Sequence, residues 1–320
     1  MSGHPAVSIV VASLDQAKYL AEALQSLVEQ EYSPLEVIIQ DGGSTDGSVA
    51  IAERFVREYP GIFKLFSERD AGQADALNRG FARASGTILG FLNADDMLLP
   101  RVLHRVCEEI DPSRDRFVVM GRCLFAGEGT RYVGSEHPAE FVSHFEHLAI
   151  WKRGFNTVPQ PSTFWHRSVW ERCGGFDAAE QHVLDYDLFC RFSRRYRFHR
   201  VDELWSIYRM HDESKSAGRS EGEVLADAIR VSRRYWGPWF SPLRWRCELS
   251  HWAWAAQLHE HARHHARRAE EAFGSGRRVR ALFEFIQTLR YSPKMAWNRL
   301  FLGWVSAWKS RLIQGLNRNK

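Results

Sequence analysis

The chain has 320 residues, 44% of them hydrophobic, so it can bury a substantial core and suits one large domain or a domain with an appendage. Its apolar stretches are far shorter than the roughly 20 residues of a membrane-spanning helix, and the first residues, MSGHPAVSIVV, lack the basic segment of a signal peptide. Five scattered cysteines without a CxxC pair predict reduced thiols in the cytoplasm, with no disulfide framework and no zinc site.

The net charge of +4 is unevenly distributed along the chain. Residues 221–320 contain 18 Lys and Arg against 8 Asp and Glu, whereas residues 1–220 contain 25 against 31. Eight of the twelve tryptophans also follow residue 220. The sequence therefore predicts a main domain over residues 1–220 and a basic, Trp-rich, helical extension over residues 221–320.

Residues 1–110 alternate between apolar runs typical of strands and patterns typical of amphipathic helices. Strands are predicted over residues 7–12, 35–39, 62–66 and 87–92, and helices over 19–28, 49–59 and 74–84. This alternation indicates parallel strands joined by crossover helices, and hence an open α/β sheet. Ligands of such sheets bind beyond the carboxyl ends of the strands.

The pattern is looser after residue 110. It predicts a strand over 117–125, a turn or hairpin over 127–134, and mostly loop with a short helix over 135–165. Helices are predicted over 168–173, 185–195 and 223–235, followed by a mainly helical tail that is interrupted at 237–238, 274–276 and 292–293.

Polar side chains follow three of the predicted strands. Ser13 and Asp15 come after the first strand, and Asp41 ends the second, just before the glycines of IIQDGGSTDGS. Helix capping explains Ser44 in that segment, but it does not explain Asp41. A carboxylate at this edge can accept a hydrogen bond from a base or a sugar.

The fourth strand ends in FLNADD, where Asp95 and Asp96 are adjacent. Two neighbouring carboxylates repel one another, so either solvent or a bound cation must offset them. Mg²⁺ and Mn²⁺ commonly take one or two carboxylates together with phosphate oxygens. The pair by itself also fits a solvated turn or a helix cap.

Six segments together resemble the glycosyltransferases of family 2, which have a GT-A fold. They are SIVVASLDQAKYL, IIQDGGSTDGS, RDAGQADALNRGFARASGTILGFLNADD, PQPSTFWHRSVWERCGGFD, LDYDLFCRF and YRMHDESKS. The resemblance covers about residues 5–218 and preserves order and spacing. It implies a nucleotide-sugar-binding half over residues 1–110 and an acceptor-binding half over residues 111–220.

The resemblance also implies roles for individual residues. Donor-nucleotide-binding positions would be Ala12, Ser13, Asp15, Asp41, Gln73, Asn78, Asp95 and Arg209. Asp96 would hold Mn²⁺ or Mg²⁺ on the diphosphate with His211 as a second ligand, and Arg209 and His211 would close over the diphosphate. For Gln73 and Asn78, a plain surface position is an equally good interpretation.

Asp185 would be the general base that takes the proton of the acceptor hydroxyl. The family commonly has an acid just before this base, and here the residue is Leu184. Asp187 therefore stays an alternative base, although we expect it to pair with an arginine such as Arg191. The neighbouring GGFD, residues 174–177, fits either a structural turn or the shaping of the acceptor pocket.

The predicted activity is inverting, metal-assisted transfer from a nucleoside-diphosphate sugar to a glycan or polyprenyl-linked acceptor, in surface polysaccharide synthesis. The alternative is a catalytically silent glycan-binding or scaffold protein. A nucleotidyltransferase or a dinucleotide dehydrogenase would need a glycine-rich loop after the first strand, and ASLDQAKY has no glycine.

Trp165 and Trp170 are candidates either for stacking on sugar rings or for the core.

The tail contains one further amphipathic pattern, over residues 294–317. Its Trp-rich apolar stripe with flanking Lys and Arg fits the inner, anionic surface of the cytoplasmic membrane, and it fits equally well packing on its own domain or on a dimer partner. The positively charged tail contains no recognised nucleic-acid-binding motif. His261 and His265 have metal-competent spacing, but without a nearby acid or cysteine we expect a solvated helix face.

Overall fold

The computed structural model describes residues 4–127, 132–212, 219–292, 295, 296, 300 and 304. The chain divides into two compact units, Met1–Leu243 and Arg244–Lys320. The first unit is α/β and the second is helical. In the described residues, no helix is long and apolar enough to cross a membrane. All five cysteines are free thiols, as the sequence predicts.

The first unit contains one mainly parallel sheet flanked by helices. The strands are β1 Val7–Ser13, β2 Leu35–Asp41, β3 Phe63–Ser67, β4 Ile88–Asn93, β5 Met97–Leu98, β6 Val118–Ala126, β7 Tyr132–His137, β8 Thr163–His166 and β9 Phe198–Arg209. Their order is β3-β2-β1-β4-β8-β6-β9-β5, and β7 pairs with β6. The first four strands in this order are mutually parallel, and β8 is antiparallel to both of its neighbours.

Eight helices accompany the sheet in the described part of this unit. They are α1 Ala17–Val28, α2 Ser48–Glu58, α3 Gln73–Arg83, α4 Val102–Glu109, α5 His144–Leu148, α6 Arg167–Cys173, α7 Leu184–Ser193 and α8 Glu221–Arg233. The predicted α/β class and the first four strands with their three helices are confirmed. The elements α4, β5, β8 and β9 were not predicted from the sequence. The first three are short, and β9 carries charged residues within the strand.

The centre of the sheet is buried on both faces, as expected of parallel strands covered by helices. In β1, Ile9 packs in the hydrophobic cluster that includes Leu24 of α1, whereas the next residue, Val10, packs in the cluster that includes Leu77 and Phe81 of α3. This two-sided burial explains why β1 reads as an unbroken apolar run. It also fixes the carboxyl ends of the strands on one edge.

Those carboxyl ends meet in register. Ser13, the last residue of β1, lies beside Asp41, the last residue of β2, and Ala12 lies between Gln40 and Asn93 of the flanking strands. Side chains from three separate parts of the sequence therefore converge at one edge of the sheet, where the sequence predicts the ligand.

The first unit extends past the expected domain boundary at residue 220. The Ser232 hydroxyl of α8 donates to the carbonyl of Leu148 at 2.6 Å, and the Arg230 guanidinium makes two hydrogen bonds of 2.8 Å to the Glu180 carboxylate. Trp236 is fully buried. Residues 221–243 thus pack with the sheet domain, although their composition resembles the tail.

His147 is a buried titratable group in α5. Its ring packs against Tyr186 at 5.0 Å between centroids, and its Nε2 has no hydrogen-bond partner among the described residues. Burial, and secondly the nearby His144, lower the pKa of His147 to about 3. The imidazole is therefore neutral in the folded protein across the physiological range.

Acidification is expected to destabilise the first unit through His147. Because the folded pKa is lower than the ordinary value of about 6.5, protons bind the unfolded chain preferentially, so this stability is present above that value and is lost as the pH falls below it. Between about pH 7 and about pH 5 the free energy of unfolding should fall by about 2 kcal/mol more in the native chain than in His147→Leu. Urea unfolding at the two pH values measures this, and equal pH dependence in both proteins would contradict it.

The second unit contains α9, Pro242–Gly274, and α10, Arg278–Tyr291. Glu284 of α10 is 1% exposed and accepts hydrogen bonds from His265 at 2.7 Å and Arg268 at 2.9 Å. The prediction of a solvated face is therefore wrong for His265, which is held by an acid from the next helix; His261 is exposed as expected.

The predicted amphipathic helix over residues 294–317, expected either to bind the membrane or to pack on protein, lies outside the described residues except at four positions. One of these, Trp304 of the predicted stripe, stacks on Phe273 of α9 with 4.7 Å between ring centroids. At this position, packing within the second unit is the observed arrangement.

Candidate functional site

A cleft of about 640 Å³ lies at the carboxyl ends of β1 and β4. One part of its lining comes from the parallel half of the sheet, with Ala12, Ser13, Asp70, Gln73, Asn93 and Asp95. The remainder comes from the later part of the unit, with Phe155, Asn156, Gln160, Asp185, Tyr208, Val224 and Leu225. The cleft therefore joins the two halves that the sequence predicts for donor and acceptor.

Asp41 is 1% exposed and is saturated by its own loop. Its carboxylate accepts hydrogen bonds from the backbone N–H groups of Gly43 at 2.9 Å and Ser44 at 3.0 Å and from the Ser67 hydroxyl at 2.7 Å, in addition to the Ser44 hydroxyl. These contacts fix the conformation of the loop after β2 and join Asp41 to Ser67 of β3. The expected contact of Asp41 with the nucleotide base stays a prediction.

Asp15 joins the loops that follow β1 and β2. Its carboxylate accepts from the backbone N–H of Thr45 at 2.8 Å, and its own backbone N–H donates to the Ser44 hydroxyl at 2.8 Å. Asp15 is exposed and has a φ of 50°, a left-handed conformation that aspartate tolerates better than most residues. Ser13 lines the cleft, and its buried hydroxyl has no partner among the described residues.

Asn93 is the centre of a hydrogen-bond network at the end of β4. Its carbonyl oxygen accepts from Gln73 at 2.8 Å, while its amide donates to Asp96 and to Gln160, each at 2.9 Å. The Gln160 amide in turn donates to the carbonyl of Phe91 at 2.7 Å. The network holds Gln73 at the cleft. Both the carbonyl oxygen and the amide nitrogen of Asn93 are occupied by these hydrogen bonds.

The two adjacent acids have different environments. Asp96 is 1% exposed, and its carboxylate accepts from the backbone N–H of Arg209 at 3.0 Å as well as from Asn93. Burial, and next the charge of Asp95, raise the pKa of Asp96 well above its usual range. Asp95 lines the cleft, and its Oδ2 lies 3.0 Å from Nε2 of His211. Asp95 therefore faces the cleft beside His211, while the expected role of Asp96 as the metal ligand stays a prediction.

The Asp95–His211 pair fits a divalent cation. Two neighbouring ligands of an octahedral ion at about 2.1 Å lie about 3.0 Å apart, which matches the separation of Asp95 Oδ2 and His211 Nε2. Nδ1 of His211 is buried without a hydrogen-bond partner among the described residues. Within the described residues, no group of three or more His, Cys, Asp or Glu side chains could hold a metal. Two protein ligands completed by phosphate oxygens are what Mg²⁺ and Mn²⁺ commonly accept.

Arg209 lies behind the cleft and is not part of its lining. Its side chain is 2% exposed, pairs with Glu22 of α1 and lies over the ring of Tyr19 at 4.8 Å. Tyr19 also packs against the ring of His211 with 4.3 Å between centroids. Arg209 therefore holds β9 against α1 through Glu22 and Tyr19, and its expected contact with the diphosphate stays a prediction.

Asp185 and Asp187 begin α7 but face different surroundings. Asp185 lines the cleft and accepts a hydrogen bond from the Asn156 amide at 3.1 Å. Asp187 is 1% exposed and accepts from Tyr235 at 2.6 Å and from Arg191 at 3.0 Å. The expected pairing of Asp187 with Arg191 is confirmed.

Asn78 holds the GGFD segment and does not line the cleft. Its amide donates to the carbonyl of Phe176 at 2.9 Å, and its carbonyl oxygen accepts from the Phe176 N–H at 2.8 Å. A Cβ atom on Gly175 would lie 2.4 Å from the Asn78 Oδ1 atom, so this close approach requires glycine. The arrangement favours the structural interpretation of the segment.

Trp165 and Trp170 belong to one aromatic cluster with Phe81. Trp165 is fully buried, and Trp170 packs on Phe81 with 4.3 Å between ring centroids. Both tryptophans therefore serve core packing, and neither lines the cleft.

Sequence reasoning missed several polar residues of the cleft, namely Asp70, Asn93, Asn156, Gln160 and Tyr208. Asn93 carried a usable signal, since it directly follows the apolar run of β4. Asp70 likewise follows β3 by a few residues, and its carboxylate accepts from the Gly72 N–H at 2.8 Å. Gln160 and Tyr208 lie within two of the segments that resemble the family, which is a signal that could have found them, whereas Asn156 lies where the pattern predicts loop and has no such signal.

Comparison with known proteins gives a consistent result. The profile of Glycosyl transferase family 2 matches residues 8–174, just over half of the chain. The uncharacterized glycosyltransferase YwdF of Bacillus subtilis is 28% identical over 210 residues, which are 64% of this chain and 75% of YwdF. The PGL/p-HBAD biosynthesis glycosyltransferase of Mycobacterium tuberculosis is 33% identical over 132 residues, 41% of this chain and 52% of that protein. An uncharacterized glycosyltransferase of Nostoc is 35% identical over 107 residues, so the match spans a third of each protein.

Solved structures of GT-A glycosyltransferases share the fold. Staphylococcus aureus TarS 1-349 in complex with UDP-GlcNAc has a TM-score of 0.55 at 17% identity, over 72% of this chain and 71% of TarS. The mannosyltransferase PcManGT of Pyrobaculum calidifontis, in complex with GDP-Man and Mn²⁺, has a TM-score of 0.54 at 18% identity, over 93% of this chain and 89% of PcManGT. At these identities the likeness establishes the fold and leaves donor and acceptor to be argued from the cleft.

Proposed function

Since the chain belongs to glycosyl transferase family 2, we propose that it moves a sugar from a nucleoside-diphosphate sugar to an acceptor hydroxyl with inversion at the anomeric carbon. The observation that carries this proposal is that Asp95 and Asp185, from distant parts of the chain, line the same cleft. One carboxylate is beside a histidine in a geometry suited to a cation, and the other is held by a neutral amide. Those are the two kinds of group that an inverting transfer needs.

Asp185 acts as the general base. Its carboxylate takes the proton of the acceptor hydroxyl while that oxygen attacks the anomeric carbon and the bond from this carbon to the diphosphate breaks. The neutral Asn156 amide donates a hydrogen bond that orients the carboxylate. Asp187 is occupied by Tyr235 and Arg191, so it supports the helix that presents Asp185.

Asp95 and His211 would hold Mn²⁺ or Mg²⁺ on the diphosphate. The cation supplies positive charge that stabilises the leaving diphosphate. Asp96 does not share this role in the proposal; it binds the backbone of Arg209 and thereby sets the position of β9 and of His211 two residues later. Arg209 and Tyr19 complete the support of the imidazole.

The nucleoside of the donor would occupy the part of the cleft beside Ala12, Ser13, Asp70 and Gln73. Ser13 offers a buried hydroxyl for a polar group of the donor, while Asp15 and Asp41 act indirectly by fixing the two loops that border it.

The acceptor would approach along Phe155, Val224 and Leu225. This apolar part of the lining suits a glycan carried on a polyprenyl chain, as in surface polysaccharide synthesis. Cytoplasmic placement, an inner-membrane contact through residues 294–317 and a homodimer remain predictions.

A panel of nucleotide sugars tests the proposal. We expect one class among uridine, guanosine and thymidine diphosphate sugars to raise the melting temperature, and to do so much more strongly with MnCl₂ or MgCl₂ than with EDTA. The stabilising sugar is then assayed for release of nucleoside diphosphate with glycan and polyprenyl-linked acceptors. If no nucleotide sugar stabilises the chain with either cation, the transferase assignment fails and a catalytically silent scaffold takes its place.

A further inference from the structure

The outward side of α10 carries a contiguous apolar stripe. Its members occupy positions i, i+3, i+4 and i+7 of the helix, so they share one face, and they are Val279, Leu282, Phe283 and Ile286, each more than half exposed. The opposite side of the same helix packs inward through Ala281, Glu284 and Thr288. Single exposed apolar residues are common, but an exposed stripe of four large ones on one helix marks a surface that meets something apolar.

Arginines border this stripe on both sides. Arg278 and Arg280 directly precede and follow Val279, and at 100° per residue they lie on the two flanks of the stripe. Together with Arg268 and Arg277 they line a shallow groove of about 650 Å³ that also includes Val279, Phe283 and Glu284, whose carboxylate is paired with Arg268. The stripe and its bordering Arg277, Arg278 and Arg280 are called the basic apolar face below.

No acid on α10 offsets these charges. Glu284 is the single acidic residue of the helix, and it is buried beneath the stripe with its carboxylate bound to His265 and Arg268 of α9. The basic apolar face is therefore positive at its edges and apolar along its centre.

We propose that the basic apolar face binds the surface of a membrane rich in anionic phospholipid. Lying parallel to the surface, α10 would place its four apolar side chains at the boundary of the acyl chains, and its arginines would reach the lipid phosphates. A second copy of the chain fits less well, because two such faces would bring like charges together. Nucleic acid fits less well, because its phosphates would leave the central stripe in water.

This surface is distinct from the segment 294–317 and does not depend on the proposed transferase activity. The same unit exposes a second stripe on α9, formed by Trp245, Leu249 and Trp252 at positions i, i+4 and i+7. Tryptophan is favoured at the interface between headgroups and acyl chains. Both described helices of this unit thus expose side chains suited to that environment.

Vesicle co-sedimentation of the full chain tests the proposal. The probes are vesicles of phosphatidylcholine alone and of phosphatidylcholine mixed with phosphatidylglycerol, each at low and high salt. One variant removes charge, Arg278→Gln with Arg280→Gln, and one removes apolar surface, Leu282→Gln with Phe283→Gln. Matched controls in the first unit are Arg54→Gln with Arg57→Gln on α2, which are also exposed, and Val142→Gln, whose side chain is 64% exposed.

The native chain should bind the anionic vesicles, weakly at high salt, and should bind phosphatidylcholine poorly. Loss of the two arginines should weaken partitioning to anionic vesicles by about 30-fold, since each basic residue near the surface contributes about fivefold. Loss of Leu282 and Phe283 should weaken it by about tenfold or more. The control variants should match the native chain, and because all substituted side chains are exposed, melting temperatures should not change.

Three results would overturn the proposal. The native chain could fail to bind anionic vesicles, or both α10 variants could bind them as the native chain does. Alternatively, size-exclusion chromatography could show that Leu282→Gln with Phe283→Gln converts a dimer into a monomer while vesicle binding is retained, in which case a second copy covers the face. If the apolar variant proves unstable, the arginine variant alone decides, because its side chains lie on the flanks in solvent.

Discussion

Replacing Asp185 with asparagine is expected to slow sugar transfer by about 100- to 10,000-fold, the range typical of a lost general base. Asparagine preserves the size of the side chain and can still bind the Asn156 amide through its carbonyl oxygen, but it cannot accept the acceptor proton at neutral pH. Melting temperature and donor binding should therefore stay close to those of the native chain. The turnover number for nucleoside diphosphate release at saturating donor measures the loss.

Asp187→Asn is the matched control, because it makes the same chemical change two residues along α7. Asp187 accepts hydrogen bonds from Tyr235 and Arg191 in a buried position, so its loss should lower the free energy of unfolding by about 3 kcal/mol. The turnover number per folded molecule should fall far less than in Asp185→Asn. The opposite pattern, with Asp187→Asn inactive and Asp185→Asn active, would assign the base to Asp187.

Replacing Asp95 with asparagine is expected to weaken the cation-dependent part of nucleotide binding by about 100-fold, since loss of even a supporting group of a metal site costs about 10- to 100-fold. The reason is that, among the described residues, Asp95 offers the one carboxylate that is both in the cleft and beside His211. Two calorimetric titrations with the nucleoside diphosphate, one in Mn²⁺ and one in EDTA, separate the cation-dependent part of the affinity from the cation-independent part. Affinity in EDTA should not change.

Asp96→Asn distinguishes the two neighbouring acids. Asp96 accepts from Arg209 and Asn93 and lies almost fully out of solvent, so its replacement should lower the free energy of unfolding by about 2 kcal/mol. The gain in nucleotide affinity on adding Mn²⁺ should largely persist in the folded variant. If the gain disappears in Asp96→Asn and persists in Asp95→Asn, the cation belongs to Asp96, as the sequence resemblance implies.

Local patterns were sufficient for the parallel half of the sheet. The strands β1 to β4 and the helices α1 to α3 follow from hydrophobic periodicity, because consecutive elements there pack against their sequence neighbours. The same locality places Ser13 and Asp95 at one edge of the sheet. It also separates Asp187 from Asp185, since residues two apart on a helix face different directions.

The antiparallel part of the sheet did not follow from local patterns. β8 has four residues and is held between β4 and β6, whose paired residues both precede it in the chain by more than 40 positions. β9 contains Asp202 and Glu203 at a register shift against β6, which interrupts the alternation of a strand. Both elements exist because distant partners supply their hydrogen bonds.

What the sequence by itself determined was the α/β class, the family resemblance and part of the group of polar residues that line the cleft, among them Ser13, Asp95 and Asp185. The tertiary structure alone decided how those residues divide their work. It buried Asp96 against Arg209 and left Asp95 beside His211, and it committed Asn78 to Phe176 and Asp41 to its own loop. The physical reason is that a polar side chain takes its role from the partners that desolvate it or bind it, and here most of those partners lie from about 25 to over 100 residues away in the chain.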